Sequence, residues 1–297
     1  MNHRPHAAVL ALCACLALLL SACGGATAPV ALRSTVSTLD QSLHDRLPQK
    51  VKDAGVLRVA TDASYAPASS FGPDGHRIIG FEPDLAKALG TTLGVRFEFV
   101  NADFSKVIGM VVNEEIDLGI SAITDTKERE QDVDFVTYFS AGTSIVVQRG
   151  NPHGITDVKD LCGKEVAVEE STVQVDLLAR AQGNCLGSPI TVDQYPQNSD
   201  ALLQLRTGRV AAVLNDFPPA SYLVNEPRTK AHYQLASTAQ YEPGLYGIAV
   251  NKQQIALRDV LKEAINQLIR SGQYTQVLDH WAVGGGAVRT SEVNPAG

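Results

Sequence analysis

Hydrophobic positions in this chain fall into two repeating patterns, one of period two and one of period three to four. Val56-Leu57-Arg58-Val59-Ala60 predicts a strand. Phe81, Leu85, Ala88, Leu89 and Thr92 recur at helical spacing and predict an amphipathic helix over 82–93, ended by Gly94. Val95, Phe97 and Phe99 then alternate with polar residues, the strand period. Helix 106–113, strand 116–123 and strands near Asp134 and Ser144 follow. After Asn151-Pro152 a second series begins, with strands at 165–168, 190–195 and 210–214 and helices at 172–182 and 199–207. Strand 246–250 and helices 255–271 and 273–281 complete the pattern, and a short helix over 41–52 precedes it. Strands separated by helices of this length predict an α/β fold in two units, each a mostly parallel sheet flanked by helices. From Gly284 onward the chain is Gly-rich and polar and reads as a flexible tail.

The amino end carries a different pattern. Arg4 precedes an apolar run from Ala7 to Leu20. That is signal-sequence length, short of the roughly 20 residues a spanning helix needs. The run ends in Leu20-Ser21-Ala22-Cys23 with Gly24-Gly25 behind it, which resembles the lipobox of bacterial lipoproteins. Residues 1–22 then read as a signal peptide, Cys23 as the lipidated residue, and 23–54 as a tether and lead-in helix. An ordinary signal peptide with an incidental Cys23 is the alternative. Either way the mature chain is exported and, with a lipid, held at the cell membrane.

Composition adds three constraints. Cys13 and Cys15 leave with the signal, so Cys162 and Cys185 remain as an even pair, read as a disulfide outside the cytoplasm. Two buried thiols are the alternative. A formal charge of −7 and the lack of any Lys/Arg run argue against a nucleic-acid partner. The chain is longer than one ordinary core holds, which again favours two lobes.

Several segments then resemble one family in order and spacing. Leu57 through Pro67, Gly80-Phe81-Glu82-Pro83-Asp84-Leu85-Ala86 and Asp103-Phe104-Ser105 are similar to the opening motifs of the polar amino acid-binding proteins of bacterial ABC importers. Ser121 through Arg129 with Val133-Asp134-Phe135, then Val168 through Gln174, Asp216, and Tyr246 through Val250 continue the series. The resemblance spans about residues 50–283. It implies a two-lobed periplasmic-binding-protein type II-like fold, with lobe 1 from 55–148 plus 241–283 and lobe 2 from 149–240. It also implies a free polar amino acid as ligand, an ABC permease with its ATPase as partner, a monomer, no cofactor and no metal.

On that resemblance the site residues carry distinct expectations. Arg129 would hold the ligand carboxylate, since a guanidinium fork matches it with two parallel bonds. Ser171-Thr172-Val173-Gln174 has the pattern of a capping box, which puts a helix start at Thr172 and Val173 beside the same carboxylate. Family members usually carry glycine where Ser171 stands. Asp216 would pair with the ammonium, aided by Ser121, Ala122 and Thr124. Tyr65 and Phe104 would sandwich the side chain. Asp62 and Glu169 would face its far end, which favours arginine, lysine, histidine or glutamine over glutamate. An enzyme of dehydratase type on the same fold, or a binder of another zwitterion such as an opine, are the alternatives. Such an enzyme needs a general acid in the cleft, for which Glu169 and Asp62 are the candidates. A sensor domain would need a transmembrane or signalling segment, which the pattern after residue 283 does not predict.

Overall fold

The structure, a computed structural model, describes residues 38–296. The expected signal peptide, Cys23 and the first part of the expected tether lie outside the described residues. Two short helices, α1 (Gln41–Arg46) and α2 (Gln49–Ala54), replace the single helix expected over 41–52. Pro48 divides them, because it offers no N–H to continue α1.

Strand β1 (Val56–Thr61) leads into a small antiparallel sheet of β2 (Ser64–Tyr65), β3 (Ser69–Phe71) and β4 (Ile78–Ile79). The chain continues through α3 (Phe81–Leu93), β5 (Arg96–Asn101), α4 (Phe104–Val112) and β6 (Leu118–Gly119) to a long strand, β7 (Val133–Gln148). Next come β8 (Glu165–Glu169), α5 (Val173–Gln182), β9 (Thr191–Tyr195), α6 (Asn198–Thr207), β10 (Ala212–Asp216), α7 (Phe217–Asn225) and β11 (Tyr233–Leu235). Strand β12 (Tyr241–Asn251) and helices α8 (Ile255–Ser271) and α9 (Gln273–His280) follow.

The main sheet runs β5-β1-β6-β12-β7-β10-β8-β9, with β11 also on β7. Its two flanks, β5-β1-β6 and β10-β8-β9, are parallel, as strand–helix–strand connections require. Strand β7 joins them by pairing antiparallel with β12 along its first part and with β10 along its last. Thr143 sits at the junction, opposite Tyr241 on one side and Asp216 on the other. The expectation of separate strands near Asp134 and Ser144 is corrected here: they are one strand. The small residues Ser140-Ala141-Gly142 interrupt the apolar pattern without ending the strand, although the pairing with β12 shifts register opposite Gly142.

The buried side chains divide at this same place. Helices α3, α8 and α9 cover one face of the first flank around Leu85, Leu89, Leu261 and Ile265, and α4 covers the other through Val107 and Val111. The second flank has its own cores, with Leu177 and Leu178 of α5 on one face and Ala201 and Leu205 of α6 on the other. Core membership changes between Ala141 and Ile145, a few residues before the boundary expected at 148. Cys162 and Cys185 form a disulfide within the second group, with Cα atoms 5.5 Å apart.

The last segment departs from expectation. Residues 284–296 do not trail away from the fold. Val293 bridges Val136 on the part of β7 that β10 leaves unpaired. The Asn294 side chain accepts from the Phe135 N–H at 2.7 Å and donates to Asp134 at 2.9 Å. Ser291 is buried, and its N–H donates to Asn266 at 2.9 Å. The polar residues that read as a solvated tail are the ones that cap a strand edge.

Candidate ligand-binding site

The carboxyl ends of the parallel strands point at one another across the junction, the usual position of a ligand crevice in an α/β sheet. Asp62 follows β1, Ser121, Ala122 and Thr124 follow β6, Glu169 ends β8 and Asp216 ends β10. Phe104 begins α4, and Thr172 and Val173 begin α5. With Tyr65, Arg129 and Gln174 these residues line one small, narrow cavity. All eleven residues singled out in the sequence line it, and Gln174 is the one addition. A wider groove between Phe217, Tyr222 and Trp281 has no buried charged side chain on its walls.

Arg129 lies in a short 3-10 turn and crosses the cavity. Its Nη1 donates to the Thr124 carbonyl at 2.7 Å and its Nη2 to the Ser171 carbonyl at 2.8 Å. The guanidinium carbon stands 5.5 Å from the centre of the Phe104 ring, a cation–π arrangement. A guanidinium has five N–H donors, so this anchorage leaves others for a carboxylate. Ser171 adopts a φ of 61°, the left-handed region, at a cost of about 1–2 kcal/mol for a residue with a Cβ. It thus takes the backbone shape glycine takes more readily.

The expected capping box is not formed. Helix α5 does begin within a residue of the expected position, with Thr172 as its N-cap. Yet no side chain caps it, and Thr172 Oγ1 donates back to the Glu169 carbonyl at 2.7 Å. Gln174 turns the other way: its Nε2 donates to Asp216 at 2.9 Å and to Thr143 at 3.1 Å. The S-x-x-Q spacing therefore signals a site residue, which its resemblance to a cap concealed.

Asp216 is the most constrained acid. Its Oδ1 accepts from Gln174 and its Oδ2 from the Tyr65 hydroxyl at 3.2 Å, while its own N–H donates to that hydroxyl at 2.9 Å. Burial pushes its pKa up to about 6, against the pull of the nearby Tyr246 hydroxyl, the Tyr65 and Gln174 donors and the charge of Arg129. Tyr246, fully buried behind the cavity, was not anticipated as part of this set.

Asp62 and Glu169 come from opposite flanks and meet on the cavity wall. Asp62 is 3% exposed and Glu169 is 5% exposed. Asp62 accepts from the Ser64 N–H at 2.6 Å, and its own N–H donates to Ser121 Oγ at 2.9 Å. Glu169 Oε1 is buried without a partner. Burial first, and then the nearby Asp62 charge, push the Glu169 pKa well above the usual carboxylate range. The two carboxyl groups lie near enough to act on each other, and burial raises the pKa of both. Three acids thus face the cavity against one guanidinium, an excess of negative charge that a cation would neutralise. Among the described residues no cluster of His, Cys, Asp or Glu is placed to hold a metal ion, and no helix is long and apolar enough to cross a membrane.

Residues 57–284 match the family model described as bacterial extracellular solute-binding proteins, family 3. The L-cystine-binding protein TcyJ of Escherichia coli is 30% identical over 258 residues, 86% of this chain and 92% of that protein. The arginine-binding protein ArgT of Corynebacterium glutamicum is 26% identical over 254 residues, 84% of this chain and 81% of its own. Among solved structures, an ancestral arginine-binding protein bound to arginine is 32% identical, with a TM-score of 0.71, covering 76% of this chain and 98% of that one. These relatives are named for binding, not for turnover.

Proposed function

The chain belongs to the family 3 bacterial extracellular solute-binding proteins, and we propose that within it this protein captures a basic amino acid, arginine foremost, for an ABC importer. The observation that carries this reading is the Asp62–Glu169 pair. Its carboxyl groups are buried, one oxygen meets no donor, and the cavity's own cation is engaged elsewhere. A guanidinium or ammonium from the ligand supplies the missing donors and charge. Arg129 and the first turn of α5 take the α-carboxylate, and Asp216 with the Ser121 carbonyl takes the α-ammonium. Tyr65 and Phe104 bound the aliphatic stem. The relatives named for arginine support the same side-chain class.

Binding of this kind couples to lobe closure, because Arg129 and Asp62 belong to one flank and Glu169, Thr172 and Asp216 to the other. The closed form is what a permease with its ATPase would recognise. A lipid on Cys23 would hold the protein at the membrane throughout.

A thermal-shift screen of ligand-free mature protein against the common amino acids, with cystine included, tests the proposal. Binding to the folded form alone must raise the melting point by mass action. Arginine, lysine or histidine should give the largest shifts. A shift with cystine or glutamate and none with the basic amino acids would replace the ligand class.

A further inference from the structure

Among the described residues Glu82 is the one carboxylate with no exposed surface at all, the binding site does not use it, and it belongs to the Gly80–Ala86 motif, which has no role in the binding reading. It is the second residue of α3. Gly80 allows its placement: a Cβ there would stand 1.9 Å from the Ala68 carbonyl oxygen, so only glycine lets the helix start this close to β3. The carboxylate then collects three donors from three different elements. Ser69 Oγ donates at 2.7 Å, the Tyr138 hydroxyl donates to the other oxygen, and the Ala122 N–H donates at 2.6 Å.

The last of these has a geometric consequence. A trans peptide points its N–H and the preceding C=O in opposite directions. With the Ala122 N–H directed into the core at Glu82, the Ser121 carbonyl must face away from Glu82, on the side where Ser121 and Ala122 line the cavity. Ala122 holds a φ of 48°, which an L-residue keeps only when its surroundings impose it. Ser121 is fixed from its other end, since its Oγ accepts from the Asp62 N–H at 2.9 Å. Glu82 supplies the force that this strained peptide needs.

We propose that Glu82 is a positioning residue, whose carboxylate locks the Ser121–Ala122 peptide so that the Ser121 carbonyl is presented to the α-ammonium of the ligand. The inference rests on the amino-acid reading above. Glu82 acts through backbone, so its loss should register on the ligand's ammonium and on no other ligand group.

Isothermal titration with L-arginine and with its des-amino analogue, a guanidinopentanoic acid, separates the two effects. In Glu82→Ala, arginine should bind at least about tenfold more weakly, because a charge-assisted contact is misplaced. The affinity of the des-amino analogue should stay within roughly twofold, a change below the weight of any single hydrogen bond. Glu82→Gln keeps an acceptor for the Ala122 N–H and should recover most of the preference for arginine. Equal losses for both ligands, or no loss for either, would overturn the proposal in favour of a purely structural role. Wild-type protein that binds no arginine would overturn the amino-acid reading and this inference with it. Should Glu82→Ala not fold, the wild-type amide itself decides: the Ala122 proton should resonate downfield and exchange slowly. Exchange at the rate of an open loop would contradict the lock.

Discussion

Replacing Glu169 by glutamine should move affinity and stability in opposite directions. The carboxyl is buried beside Asp62, with Asp216 near enough for its charge to add to the rise in pKa. In the folded protein without a cation, burial and the Asp62 charge favour a proton on Glu169. A ligand guanidinium takes that proton's place, and the ionised pair then grips it. Losing one charge-assisted contact costs about 1.5–3 kcal/mol, roughly 10- to 150-fold in Kd.

Stability follows the other sign. An acid whose folded pKa is raised contributes stability that is complete below its unfolded pKa, about 4.3, and is lost as pH rises through the folded value. At pH 8 the wild-type protein therefore carries a burial penalty that glutamine lacks, and the ligand-free variant should unfold at higher denaturant. Binding of the cation releases the Glu169 proton, so wild-type affinity for arginine should increase with pH, by at most about tenfold per unit for each proton released. Asp216 and Asp125, pushed up to about 6 and about 7, also titrate in this range, and Glu169→Gln identifies the part that belongs to the pair. Titration calorimetry from pH 6 to 8 reads the affinity, and urea unfolding reads the stability. A variant that binds arginine as tightly as wild type, or that is less stable at pH 8, would refute this reading of Glu169.

Three further outcomes follow from other parts of the structure. Arg129→Ala should weaken amino acid binding by about 2–5 kcal/mol, the cost of leaving a buried carboxylate unpaired, while melting of the ligand-free protein shifts far less. Titration calorimetry and thermal melting check the two halves. Replacing Cys162 and Cys185 by serine opens a cross-link spanning 23 residues and should cost about 3 kcal/mol, read as a lower melting temperature in calorimetry. Asn294→Ala leaves the Phe135 N–H without its acceptor and should cost about 1–3 kcal/mol in urea unfolding, with ligand affinity unchanged.

Local pattern carried much of the fold. The spacing of Phe81, Leu85, Ala88, Leu89 and Thr92 predicts α3, and the structure has it over Phe81–Leu93. Long-range pairing is where the pattern fails. Strand β7 reads as two strands because its small central residues are chosen for crossing between flanks, not for burying a large side chain. The carboxyl-terminal segment reads as solvated because Asn294 and Ser291 satisfy backbone and helix groups that only the folded chain brings near.

The site divides in the same way. Asp62, Arg129, Glu169 and Asp216 lie far apart in sequence, and nothing in periodicity joins them; family motifs alone mark them. Gln174 and Tyr246 sit inside such motifs, yet their partner Asp216 is visible only in three dimensions. Glu82 lies within a family motif, and its meaning depends on the direction of a single peptide that no residue pattern encodes.

The central claim is that a buried acid pair selects a cationic side chain. Titration calorimetry of the ligand-free protein with L-arginine against L-citrulline tests it most directly. The two ligands share backbone groups, length and shape and differ in the charge of the terminal group. The account predicts that arginine binds at least about tenfold more tightly, since a neutral urea group forgoes the charge-assisted contact with the buried acid pair. Equal affinities, or tighter binding of citrulline, would contradict it.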